Sequence, residues 1–257
     1  MQRYFVAPES FREQSVTLEG EDVHHLLRVM RMKPGDRVIV SDGISREAVC
    51  VLRELEPSRA IADIEERLPM AGEPRWKVTV AQGLPKGDKM ELVIQKGTEI
   101  GAAGFVPFQS ERAVVQYDEK KEGKRLERWR KIAKEAAEQA HRSAIPEIGS
   151  VRSWRALTAD FARYDAVFFC YEKEGGTPSA GLRTAVREAL AGKDANGPLQ
   201  LLVVVGPEGG FAEREAAEAA AAGAVLTGLG RRILRTETAG LAALACLMYE
   251  SGEMGGH

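Results

Sequence analysis

Residues 199–205 (LQLLVVV) form a nearly pure apolar run, which predicts a strand buried on both faces. The run breaks into Gly206-Pro207-Glu208-Gly209-Gly210-Phe211. An alanine-rich helical segment follows, with Glu213 and Glu215 in its first turn, where carboxylates suit the helix dipole. The pattern then repeats: residues 224–227 predict a second short strand, residues 228–235 a loop, and Thr236 the N-cap of a last helix. That helix, over 238–250, is apolar almost all round, so its own core or a partner subunit must bury it. Two glycine-rich loops at the carboxyl ends of neighbouring strands are where an open α/β sheet usually binds its ligand.

The texture upstream separates two regions. Residues 76–82, 105–108 and 165–170 predict further strands, and 89–100, 124–142 and 179–190 predict helices. Such alternation implies a mainly parallel sheet with helices on both faces. Before about residue 68 the chain carries short β-prone runs instead, at 3–7, 15–18, 37–41, 46–55 and 60–65. One helix is expected there, over 21–31, with Val23, Leu26, Leu27 and Met30 on one face. These patterns predict a small β-barrel over 1–70 and an α/β domain over 74–257, joined by a linker at 68–74 (LPMAGEP).

Composition narrows the classes. Asp and Glu number 38 and Lys and Arg 36, so bulk charge predicts neither a nucleic acid nor a membrane, and an RNA partner requires a local patch. Cys50, Cys170 and Cys246 lie far apart in apolar runs and read as reduced core residues of a cytoplasmic protein. No apolar run approaches the ~20 residues of a membrane span, and the first residues lack a signal peptide's apolar region.

The GPEGGF loop is neither G-x-G-x-x-G nor a Walker loop. In residues 83–89 the last lysine is followed by Met90 where a triphosphate site needs Ser or Thr, so triphosphate hydrolysis is not expected. In LGRRILRTETAG, three arginines and two threonines enclose Ile233 and Leu234, a set suited to phosphate or carboxylate beside a flat ring. At 138–143 (EQAHRS), the helix dipole first explains a terminal histidine and arginine. The sharper alternative is that Glu138, Gln139 and Arg142 face a polar substrate. His24 and His25 point about 100° apart on a helix, so no metal site is expected. Basic runs at 28–37 and 120–134 are interleaved with acids and read as solvated faces, with phosphate contact as the alternative.

Four segments in order, KGDKMELVIQKGTEIG, EQAHRS, VVGPEGGF and LGRRILRTETA, resemble the RsmE family of 16S rRNA (uridine-N3)-methyltransferases of the SPOUT superfamily. HHLLRVMRMKPGDRVIVSDG resembles that family's PUA-like β-barrel, so the resemblance covers essentially the whole chain. It implies a C-terminal α/β domain with a deep trefoil knot, S-adenosyl-L-methionine as cofactor, and a homodimer through the C-terminal helix. The implied reaction is methylation of N3 of a uridine, conventional position 1498, in 16S rRNA of the small ribosomal subunit. The implied cofactor pocket has three loops: Cys170, Tyr171 and Glu172; then Val205, Gly206, Pro207, Glu208, Gly209 and Gly210; then Leu229, Gly230, Arg231, Ile233, Leu234 and Thr236. Arg28, Arg31, Gln139 and Arg142 are the expected RNA contacts. The sulfonium already activates the methyl group, so catalysis needs alignment and removal of the N3 proton. Arg235 or Arg142 would stabilise the developing uridine anion, and Glu138 or a water would take the proton. The sequence departs from the family pattern at Arg231, where LGPR has proline, and at His141, where a small residue is common.

Overall fold

In the computed structural model, residues 1–113, 119–174, 181–194 and 197–254 are described, with backbone only at 119–121. The expected start of a helix at 179–180, the Lys120 and Lys121 side chains and His257 lie outside them. By contacts the chain divides into two compact units, Met1–Glu73 with Lys134–Ile145, and Pro74–Ala133 with Pro146–His257.

In the first unit the short β-prone runs pair as a five-stranded sheet. Strands β1 (Gln2–Phe5), β2 (Ser15–Glu19), β3 (Arg37–Ser41), β4 (Glu47–Leu55) and β5 (Arg59–Leu68) run in the order β1-β3-β4-β5-β2. β1 and β3 are parallel and the other ladders antiparallel. Period-two alternation puts Val16, Leu18, Val38, Val40, Cys50 and Leu52 into one core with Tyr4 and Leu26. Register shifts at Val49/Cys50 and Leu52/Glu54 mark bulges, which bend paired strands.

The helix expected over 21–31 does not keep its period. α1 spans Glu21–His24, and His25–Val29 widen into a π turn in which Met30 N–H bonds to His25 C=O at 3.0 Å. Tyr4 Oη lies 2.9 Å from His25 Nδ1. The extra residue rotates the end of the segment, so Val23 and Leu26 are buried while Met30 is 44% exposed and Arg31 takes φ +53°.

The first unit is also not contiguous, because the end of the long helix belongs to it. Lys134 bonds Asp22 at 2.7 Å, Phe5 N–H bonds Glu138 Oε1 at 3.1 Å, and Arg142 pairs with Glu73. The division at Glu73/Pro74 falls within the expected linker, and residues 134–145 join the first unit in addition.

The second unit holds a sheet of β6 (Trp76–Gly83), β7 (Gly104–Gln109), β8 (Glu147–Ile148), β9 (Arg152–Ser153), β10 (Ala166–Cys170), β11 (Leu199–Val205) and β12 (Val225–Thr227). The order is β12-β10-β11-β6-β7-β8 with β9 beside β7, and every ladder is parallel. Its helices are α2 (Lys89–Ile100), α3 (Glu119–Gln139, whose end joins the first unit), α4 (Trp154–Ala159), α5 (Leu182–Ala189), α6 (Glu213–Ala221) and α7 (Thr236–Glu250). β11 explains its own apolar run. Leu201, Val203 and Val205 face a core shared with α2, α5 and α7, whereas Leu202 and Val204 face a second, aromatic core shared with α4 and α6.

Two local expectations change. α7 begins at Thr236 with Arg235 as N-cap, because the Thr236 hydroxyl donates to Gly206 C=O at 2.6 Å and does not cap its own helix. α3 ends at Gln139, where Arg142 N–H returns to Ala137 C=O at 3.0 Å and His141 takes φ +54°. That left-handed position favours glycine, so a histidine there carries backbone strain.

Candidate active site

Loops following β10, β11 and β12 enclose a cavity of about 530 Å³, the size of a small-molecule site. Close packing at glycines sets their shape. A Cβ on Gly83, the last residue of β6, would stand 2.7 Å from Pro207 Cδ, so the second loop lies directly on the end of β6. A Cβ on Gly206 would meet the Phe211 ring at 3.1 Å. Phe211 in turn packs 4.1 Å, centroid to centroid, from Phe169. Gly210 N–H closes a turn onto Pro207 C=O at 2.9 Å with φ +64° at Gly210, a conformation that needs no Cβ.

Hydrogen bonds tie the loops together. Tyr171 N–H bonds Thr227 C=O at 2.9 Å, and Leu182 N–H bonds Gly228 C=O at 3.2 Å. Gln82 Nε2 donates to Thr236 Oγ1 at 2.8 Å. Glu208 accepts from Lys86 N–H at 3.1 Å and from Lys89 Nζ at 2.8 Å. Partial burial pushes the Glu208 carboxyl up, but the Lys89 ammonium and the backbone N–H groups outweigh it and hold the carboxyl below the usual range. Burial pushes the Cys170 thiol up to about 12, so it stays protonated.

All the loop residues nominated from sequence line the cavity except Gly209. A Cβ on Gly209 would stand 3.0 Å from Arg112 C=O, so Gly209 packs against the loop after β7. Arg235 also lines the cavity, as do Phe211, Arg232 and Ala239, which sequence reasoning left out. Phe211 sat within the GPEGGF segment and Arg232 within the arginine-rich loop, so both carried a signal; Ala239 carried none. Gln82 was missed too, although a polar residue closing an apolar strand was visible.

The charges at the mouth are uneven. Lys89 is held by Glu208 and Glu237, and Lys173 by Glu213. Arg231, Arg232 and Arg235 are exposed and have no carboxylate partner among the described residues, and Ile233 between them is 86% exposed. An apolar wall from Leu229, Leu234 and Ala239 next to glycine backbone suits a flat ring with polar substituents.

Glu138, Gln139 and Arg142 do not line this cavity. Arg142 is 4% exposed and its guanidinium is bound by Glu73, which also accepts from Ser143 N–H and Ala144 N–H at 3.1 Å each. The Glu138 carboxyl is pushed up to about 7, chiefly by burial and also by Asp22, against the pull of Lys134 and Phe5 N–H. Gln139, Arg28 and Arg31 are exposed. Among the described residues no group of three or more His, Cys, Asp or Glu is placed to hold a metal ion, and no helix is long and apolar enough to cross a membrane.

Residues 72–248 match a family described as an RNA methyltransferase domain, and residues 18–65 match the RNA methyltransferase PUA domain. Ribosomal RNA small subunit methyltransferase E of Bacillus subtilis (strain 168) is 40% identical over 256 residues, which cover 98% of this chain and 97% of that protein. The chain belongs to the small subunit methyltransferase E family. Among solved structures, the methyltransferase E of Neisseria gonorrhoeae, bound to S-adenosyl methionine, is 30% identical with a TM-score of 0.81, covering 97% of this chain and 98% of that one. A methyltransferase from Legionella pneumophila in complex with the same cofactor is 27% identical with a TM-score of 0.83, covering 96% and 97%. The three-loop cavity and the curled N-terminal sheet are therefore this chain's version of a methyltransferase E architecture.

Proposed function

We propose that the cavity binds S-adenosyl-L-methionine and that the enzyme methylates N3 of a uridine, conventional position 1498, in 16S rRNA of the small ribosomal subunit. The observation that carries the reading is the cavity itself. Its loops follow three adjacent parallel strands and its edge is glycine backbone, in a chain similar over nearly its full length to relatives holding that cofactor. The fit is chemical as well. Leu229, Leu234 and Ala239 offer apolar walls for an adenine ring, and main-chain groups of the two glycine loops offer hydrogen bonds to its polar edges.

When bound, the cofactor supplies a methyl group activated by a sulfonium. The chain's own residues do the rest. Arg235 lies at the cavity and has no carboxylate partner among the described residues, so it stabilises the negative charge that grows on the uracil as N3 loses its proton. Because Glu138 does not line the cavity, the proton passes to water. Arg142, bound by Glu73, secures the end of α3. Arg231 and Arg232 at the mouth, with Arg28 and Arg31 of the first unit, contact RNA phosphates, and the target base leaves its stack to enter.

A homodimer through α7 accompanies this reading in a cytoplasmic protein. Support comes from the outer face of α7, where Leu241, Ala242 and Ala245 are half-buried and Cys246 and Tyr249 exposed. The trefoil knot implied by the resemblance is supported by the chain's path. After edge strand β12 it passes through loop 228–235 to α7, which packs on the central strands β6 and β11.

The test is transfer of labelled methyl from the cofactor to unmodified small subunits, with naked 16S rRNA alongside and the product base identified by mass spectrometry. Arg235→Ala should lower kcat about 10²-fold or more while cofactor affinity stays within a few fold. Failure of the wild type to bind cofactor, or a product other than 3-methyluridine, would overturn the proposal.

A further inference from the structure

Gln82 is the penultimate residue of β6, whose other inward residues are apolar, and it is fully buried. It does not line the cavity, yet it touches two groups that do. Its Nε2 lies 2.8 Å from Thr236 Oγ1, and that hydroxyl lies 2.6 Å from Gly206 C=O. A hydroxyl has one proton, and here it goes to the carbonyl, so the hydroxyl must accept from the amide. The direction of the chain is thereby set as amide to hydroxyl to carbonyl. Nε2 also lies 3.1 Å from Gly83 C=O and 3.4 Å from Gly206 C=O, so every neighbour of this nitrogen is an acceptor. Oε1 is buried without a partner. A side chain kept there for packing alone would not need a donor pair or leave an oxygen unmatched.

We infer that Gln82 is a positioning residue for the cofactor: through Thr236 its amide clasps the second loop of the cavity to the start of α7 and so sets the affinity of the site. The inference rests on the reading that the cavity binds S-adenosylmethionine. Gly206 and Thr236 come from segments separated by β12 and α6, and this hydrogen-bond chain joins them directly. Without it the Gly206 carbonyl and the first turn of α7 are free to drift apart, and the cavity must be reordered on each binding event. The penalty then falls on binding, because Gln82 reaches no reacting atom.

The experiment is calorimetry of the full-length protein with S-adenosylmethionine, paired with turnover at saturating cofactor. Gln82→Leu and Thr236→Val should each weaken binding about 10-fold, and the double variant also about 10-fold, not 100-fold, because both break one chain. For Gln82→Leu, whose side chain does not line the cavity, turnover at saturation should stay within about 3-fold. Thr236→Ser, which keeps the hydroxyl, should recover most of the Thr236→Val loss. Gln82→Glu places an acceptor where only a donor fits, so it should bind poorly at high pH and improve as the pH falls and the buried acid gains a proton. Wild-type affinity in Gln82→Leu, or independent losses that multiply in the double variant, would overturn the clasp. So would unfolding of both single variants without cofactor, since the chain would then be a folding element. Absence of binding by the wild type sinks the cofactor reading instead, which keeps the two failures apart.

Discussion

Replacing Gly83 by alanine adds one methyl group where β6 meets the second loop. Its Cβ would lie 2.7 Å from Pro207 Cδ, 2.8 Å from Pro207 N and 3.1 Å from Gly206 C. Carbon atoms pack best at about 3.5–4.0 Å, so the loop must withdraw by roughly 0.8 Å. The obstacle is a proline ring and backbone, which cannot rotate away as a flexible side chain would. Overpacking of this kind costs about 1–3 kcal/mol. The displaced segment carries the Gly206 carbonyl held by Thr236, so much of that cost should reach the cavity. At about 1.4 kcal/mol per factor of ten, cofactor affinity should fall about tenfold. Gly97→Ala is the control. Its Cβ would stand equally close, 2.7 Å, to the Phe105 ring, but Gly97 lies within α2 and does not line the cavity. There the better helix propensity of alanine returns about 1 kcal/mol, so a smaller loss of stability and no loss of affinity are expected. Calorimetry and thermal melts on both variants decide the matter. Wild-type affinity in Gly83→Ala, or equal weakening in Gly97→Ala, would refute the idea that contact at Gly83 shapes the site.

Two further predictions concern the first unit. An acid that holds its proton longer when folded loses stability as pH rises from its unfolded pKa to its folded one. For Glu138 that window runs from the ordinary 4.5 to about 7. Glu138→Gln should therefore gain on the wild type across it, by on the order of 2 kcal/mol after allowance for solvent screening, and a melting-temperature difference that stays flat with pH would contradict this. Arg142→Met leaves the half-buried Glu73 carboxylate without its guanidinium and should cost on the order of 3 kcal/mol in chemical denaturation, with much of the loss restored by adding Glu73→Gln. A near-neutral Arg142→Met would mean the pair is not structural.

What could be read from the chain was local. β11 announced itself because both its faces are buried, and α2 because Gly101 ends it in a left-handed conformation at φ +114°. The three loops were legible as glycine-rich breaks after strands. Strands β8 and β9, of two residues each, are too short to show a period, and α4 is a helix of six. Long-range partners decided the remaining cases. Thr236 gave up its capping role to a carbonyl thirty residues earlier, and Arg142 turned inward to a glutamate sixty-nine residues earlier. The π turn at His25–Val29 likewise sits beside a contact with Tyr4, which no pattern within the segment reveals.

The placement of Lys134–Ile145 bears on how the molecule is made. During translation the first sheet emerges early, but its unit is complete only once the end of α3 has left the exit tunnel. Until then Asp22, Glu73 and the Phe5 amide lack the partners they hold in the finished fold. By then all of β6, α2 and β7 has also been released, so the first unit cannot be complete before half of the chain has been made. A chain halted after Glu73 should therefore stay open to proteases that the full chain resists.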